Sequence, residues 1–76
     1  MSRIAQVGWR EFERFLSSVG CRFVRERGDH RIWARTGLVR PVVFQKKKPV
    51  PIFEIKNNLR LLGIPAADYL KIMQDL

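Results

Sequence analysis

Apolar residues recur at intervals of three and four early in the chain, at Trp9, Phe12, Leu16 and Val19, and Phe15 widens the stripe. Arg10, Glu11, Glu13 and Arg14 lie off that stripe. The spacing predicts a helix starting at Gly8 and stopped by Gly20, where a missing Cβ removes the steric cost of a left-handed residue. Residues 3–7 show no period and read as a leader or a short extended piece. Cys21 to Glu26 alternates loosely and contains the strand formers Phe23 and Val24. Arg27-Gly28-Asp29 reads as a tight hairpin turn. His30 to Arg35 is a second strand, with His30, Ile32 and Ala34 on one face and Arg31, Trp33 and Arg35 on the other. A second two-residue turn, Thr36-Gly37, leads to a third strand over Leu38 to Phe44. Pro41 lacks an N–H, which puts that strand at the sheet edge. Gln45 to Pro51 is a basic loop stiffened by Pro49 and Pro51. A second helix follows over Ile52 to Leu62, with Ile52, Ile55, Leu59 and Leu62 on one face, and Gly63 ends it. Pro65 fits the first turn of a last helix with Tyr69, Ile72 and Met73 inward.

The order predicts an α+β fold, α-β-β-β-α(-α): a three-stranded antiparallel sheet with the helices packed on one face. The other face, with its edge arginines, is left open. Alternation assigns Arg31, Trp33 and Arg35 to the polar face and puts His30 with Ile32 toward the core, unless the strand begins after His30 or a local twist turns its ring outward. Phe12, Trp9 and Tyr69 are core by spacing.

The length, 76 residues, supports one domain over residues 1–76. Such a domain buries only about 60% of its unfolded surface, so its core is thin. Cys21 is the only cysteine, which excludes an intrachain disulfide and a multi-cysteine zinc site. It sits at a helix-to-strand junction and reads as buried packing. No apolar run marks a secretory signal, and no window approaches the roughly 20 apolar residues of a spanning helix. A soluble cytoplasmic protein is expected, without a membrane anchor.

The net charge is +8, and residues 51–76 contribute none of it. Lys56, Arg60 and Lys71 there balance Glu54, Asp68 and Asp75. The excess lies in residues 1–50, which predicts one electropositive surface. Polyanionic partners follow: nucleic acid first, an acidic protein or membrane surface second. The only histidine, His30, follows Gly28-Asp29 and lies among Arg22, Arg25, Arg27, Arg31 and Arg35. Imidazole can take and return a proton near neutral pH. In RNA the neighbouring 2′-hydroxyl can be the nucleophile, so no metal, cofactor or protein nucleophile is required. Such cleavage leaves a cyclic phosphate and a free 5′-hydroxyl. One histidine cannot be acid and base at the same instant, so cations must stabilise the developing phosphorane charge. Arg27 and Arg31 are the first candidates, with Lys46, Lys47 and Lys48 next. Trp33 offers a ring for base stacking, or else packs in the core or under a helix, and Arg35 shares its face.

The element order, with the segment F-V-R-E-R-G-D-H-R-I-W-A-R, the Thr36-Gly37 turn and a late L-R-L-L-G-I segment over Leu59 to Ile64, resembles the HicA toxin family. The likeness covers nearly the whole domain. It implies a fold similar to the double-stranded-RNA-binding domain. It also implies an mRNA interferase of a toxin–antitoxin pair, silenced by a HicB-type antitoxin and monomeric when free of it. The family's functional histidine maps onto His30, with Gly28 and Asp29 as the turn that positions it. The chain departs from the family pattern at Asp29, where serine is common, and after the third strand, where a proline and a second histidine are often found. Two other readings use the same residues: a non-catalytic RNA-binding module, and a basic protein that docks an acidic partner.

Overall fold

The computed structural model describes residue 4 and residues 6–76. The leader expected over residues 3–7 therefore lies partly outside the described residues, at positions 3 and 5. Six elements follow in order: α1 (Trp9–Ser18), β1 (Arg22–Arg27), β2 (His30–Ala34), β3 (Val42–Gln45), α2 (Ile52–Leu62) and α3 (Ala66–Gln74). The expected α+β order is present, and the strands form one antiparallel sheet in the order β1-β2-β3.

α1 starts where Glu11 folds back to accept the backbone N–H of Gly8 at 2.8 Å, one half of a capping box. Its apolar stripe buries Phe12, Phe15 and Leu16. β1 and β2 are joined by Gly28 and Asp29, with Arg27 already paired to His30. Gly28 has φ +61° and Asp29 does not have positive φ, the pattern of a II′ hairpin turn. β3 is shorter than expected and shifted one residue on, from Leu38–Phe44 to Val42–Gln45. Pairing with β2 begins at Trp33–Val42, just after Pro41, so residues 38–41 stay outside the ladder.

β3 is an edge strand, and α2 covers that edge. Asn58 donates from Nδ2 to the Val43 carbonyl at 3.0 Å. Glu54 accepts the Gln45 backbone N–H at 2.9 Å and the Gln45 side-chain amide at 3.0 Å. Polar groups that an edge would leave unpaired are thus satisfied by side chains. At the other edge, all six residues of β1 are exposed.

The core sits between the sheet and the helices. Trp33, Val42 and Phe44 of the sheet are buried with Phe12, Phe15, Leu16, Ile55, Leu59, Leu62 and Tyr69. The Phe12 and Phe44 rings meet edge to face at 4.9 Å, as do Phe15 and Tyr69 at 4.7 Å. Cys21 is buried, and burial pushes its thiol pKa up while Arg35 pulls it the other way.

The faces of β2 are the reverse of those expected. Trp33 is 6% exposed, and Arg31 and Arg35 turn inward with it. His30 and Ile32 lie on the open face with Val43, the cross-strand partner of Ile32. A tryptophan is the larger apolar payload, so its face is the one buried, provided the flanking arginines find partners. They do. Arg31 donates to Glu13 of α1 from Nε and Nη2, at 2.6 and 3.0 Å. Arg35 donates to the carbonyls of Val19 and Leu62, at the C-terminal ends of α1 and α2, at 3.2 and 3.3 Å. A cation there meets both unpaired carbonyls and the negative end of the helix dipole.

Candidate nucleic-acid interface

His30 stands at the mouth of the hairpin. Its side chain is 48% exposed, and Nδ1 lies 3.2 Å from an Asp29 carboxylate oxygen. Arg27 and Gln45 are its partners on the two neighbouring strands. The turn is held from behind by the segment after β3, because the Lys46 N–H donates to the Asp29 carbonyl at 2.6 Å. That segment also meets the start of α1, where the Trp9 N–H donates to the Lys47 carbonyl at 3.0 Å. One end of the molecule thus gathers His30, Asp29, Arg27, Lys46, Lys47, Lys48 and the first turn of α1.

The cations at this end are not equivalent. Lys46 is paired with Glu26 at 3.2 Å, and Glu26 also accepts from Arg31 at 2.9 Å. Those two donors, Arg31 first and Lys46 second, hold the Glu26 carboxyl below the ordinary carboxylate range. Arg27, Lys47 and Lys48 are exposed and make no salt bridge among the described residues. Arg22 and Arg25 of β1 are exposed in the same way.

Arg31, Trp33 and Arg35 leave the surface set expected from the sequence. The Arg31 and Glu13 side chains are only 17% and 13% exposed, and the Glu13 hydrogen bonds raise the guanidinium pKa against the opposing effect of burial. The indole N–H of Trp33 donates to the same Glu13 at 2.8 Å, so its ring is packed and its donor is used. The sequence reading missed Glu13, since an acid on the polar flank of an amphipathic helix carries no mark of a partner 18 residues away. Spacing also assigns Trp9 to the core. Trp9 is half-buried, with Arg10, Arg31 and Lys46 over its ring at 4.7, 5.0 and 5.1 Å.

No group of three or more His, Cys, Asp or Glu side chains among the described residues is placed to hold a metal ion. No helix among them is long and apolar enough to cross a membrane.

Residues 9–64, from the start of α1 to just past α2, match the family model described as HicA toxin of bacterial toxin–antitoxin systems. The chain belongs to the HicA toxin family. The matched HicA region contains the whole sheet, the His30 turn and the Lys46–Lys48 segment, and ends before α3. No curated protein and no solved structure gave a match. As a HicA toxin the chain is one half of a toxin–antitoxin pair.

Proposed function

We infer that this HicA toxin is an mRNA interferase, an endoribonuclease that uses His30 and RNA's own 2′-hydroxyl. The observation that carries the reading is the placement of His30. It is exposed at a hairpin mouth, has a carboxylate 3.2 Å from Nδ1, and lies beside cations that make no salt bridge among the described residues. The Asp29 carboxylate lies on the Nδ1 side of the ring, which leaves Nε2 to face the substrate. Nε2 takes the proton of the 2′-hydroxyl, and the 2′-oxygen attacks the adjacent phosphorus. The bond from phosphorus to the 5′-oxygen breaks, that oxygen takes a proton from water, and the hydroxide left behind takes back the proton held on Nε2. The products are a 2′,3′-cyclic phosphate and a 5′-hydroxyl. Arg27, Lys47 and Lys48 supply the positive field around the phosphorane. Arg31, Trp33 and Arg35 hold the β2 strand in place and do not contact RNA. Neutralisation of this basic end is the work of a HicB-type antitoxin, which buries the cations and shuts off access to His30.

The chemistry is tested by the ends it leaves. Incubation with RNA in excess chelator is expected to yield cyclic phosphates and 5′-hydroxyls. Activity lost in chelator and restored by magnesium would overturn the mechanism.

A further inference from the structure

Between the β3 edge and α2, one strand across from the His30 row, the structure has a cleft of about 330 Å³ lined by Arg40, Pro41, Val43, Phe53, Glu54, Asn57 and Asn58. We propose that this cleft is a subsite for one RNA base next to the scissile phosphodiester, with Phe53 as its stacking platform and a preference for bases that carry an exocyclic amino group. The proposal rests on the RNA-cleaving reading of His30 and adds to it the element that selects sequence.

Position is the first argument. Val43 pairs with Ile32, and Ile32 is two residues from His30 on the same face of β2. The cleft wall therefore begins roughly 7 Å along the strand and one strand, about 5 Å, across from His30. A nucleotide adjoining the cleaved bond has that reach. The cleft also connects to the residue opposite His30, because Gln45, its cross-strand partner, donates to Glu54 from its backbone N–H and its side-chain amide.

The second argument is which groups are free. Phe53 is 62% exposed on the first turn of α2, although an aromatic ring there gains nothing from water. Val43, also half-exposed, continues the apolar wall. Arg40 is exposed and makes no hydrogen bond to a side chain and no ion pair among the described residues. Asn57 accepts from Arg60 through its oxygen, which leaves its amide N–H groups to donate. Asn58 is occupied by the Val43 carbonyl and acts as wall only. Each Glu54 oxygen accepts one hydrogen bond from Gln45 and keeps a second lone pair.

That set fits a base and not a phosphate. The Glu54 carboxylate repels a phosphate but accepts an amino N–H, as carboxylates do from the cytosine amino group. Adenine, cytosine and guanine carry such a group and uracil does not. Arg40, at the rim, is placed to meet the flanking phosphate. Base stacking on an aromatic ring is worth about 1–3 kcal/mol per base, so Phe53→Ala should weaken RNA binding about tenfold.

The test uses 2′-O-methyl oligonucleotides, which have no free 2′-hydroxyl and cannot be cleaved, so binding is read independently of catalysis. Wild-type protein is expected to bind cytidine or adenosine oligomers more tightly than uridine oligomers. Phe53→Ala should lose about tenfold in affinity with an unchanged salt slope, and Phe53→Tyr should restore it. Arg40→Gln should reduce the salt slope by about 0.7 of a unit, the value of one phosphate contact on a single strand. Equal affinity of wild type and Phe53→Ala overturns the subsite, as does a preference for uridine. Weakened binding of a co-expressed antitoxin by Phe53→Ala, with RNA binding intact, would reassign the cleft to the protein partner. Absence of any cleavage of unmodified RNA by wild type would count against the catalytic reading of His30 alone.

Discussion

Glu13 accepts from Arg31 twice and from Trp33 once, and so decides which side of β2 meets the helices. Alternation in the sequence separates the two faces correctly but does not orient them. One face carries Ile32, the other Trp33 between two arginines, and two arginines read as solvent. Their partners lie in other elements: Glu13 for Arg31, and the ends of α1 and α2 for Arg35. Such long-range pairing has no local signature. Glu13→Gln keeps the shape but removes the charge, and should cost about 1.5–3 kcal/mol. Urea unfolding measures it, and a loss under roughly 0.5 kcal/mol would contradict the role. Tyr69 gives the opposite case. Its hydroxyl is buried without a hydrogen-bond partner among the described residues, and burial pushes its pKa from 10.0 up to about 12. An unsatisfied buried hydroxyl costs about 1–3 kcal/mol, so Tyr69→Phe should leave stability unchanged or raise it near neutral pH. The raised pKa means its contribution is fully present below pH 10 and is lost as pH rises toward 12. Denaturation of the two proteins at pH 8, 10 and 12 checks this: only the wild type should show that component, about 2–3 kcal/mol at its end. Parallel alkaline limbs would contradict it.

Among the elements, the β1–β2 hairpin carries the candidate site. Its turn was legible because glycine followed by aspartate between two strand-forming runs is a local signal. The structure moves Arg27 into the ladder and leaves a two-residue turn. α2 was legible to its ends, since apolar spacing and Gly63 are both local. β3 was not, because apolar residues before Pro41 look like strand while the missing N–H keeps them out of the ladder. Nor could the sequence show that α2 closes the β3 edge, since Asn58 and Glu54 pair with backbone from another element. At the opposite edge, Arg22, Arg25 and Arg27 guard β1 against strand addition by like charge. A Cβ at Gly28 would meet nothing within 4 Å, so the cost of Gly28→Ala is that of its positive φ alone. That cost is about 1–2 kcal/mol. Thermal unfolding should show a drop of roughly 4–8 °C per kcal/mol. An unchanged midpoint would mean that the turn relaxes to another type.

Across the whole molecule, charge asymmetry was the feature most legible from sequence, and the division of labour among the cations the least. Arg31 and Arg35 brace the interior, and Lys46 is tied to Glu26. Arg27, Lys47 and Lys48, with Arg22 and Arg25, are exposed, and the proposed function assigns them to the RNA backbone. Three to five phosphate contacts on single-stranded RNA give a slope of log affinity against log salt of about −2 to −3.5. Titration of RNA binding between low and physiological salt checks this, and affinity that hardly changes would remove the basic surface from the account. The most direct test of the whole is the rate of RNA cleavage in chelator by wild type and by folded His30→Ala. A positioned general base contributes about 10²–10⁴-fold, and His30→Ala should be slower by that factor. Because His30 is exposed and outside the core, its stability should not change. Equal rates would contradict a catalytic His30, and RNA binding without cleavage by both proteins would make this HicA toxin a binding module.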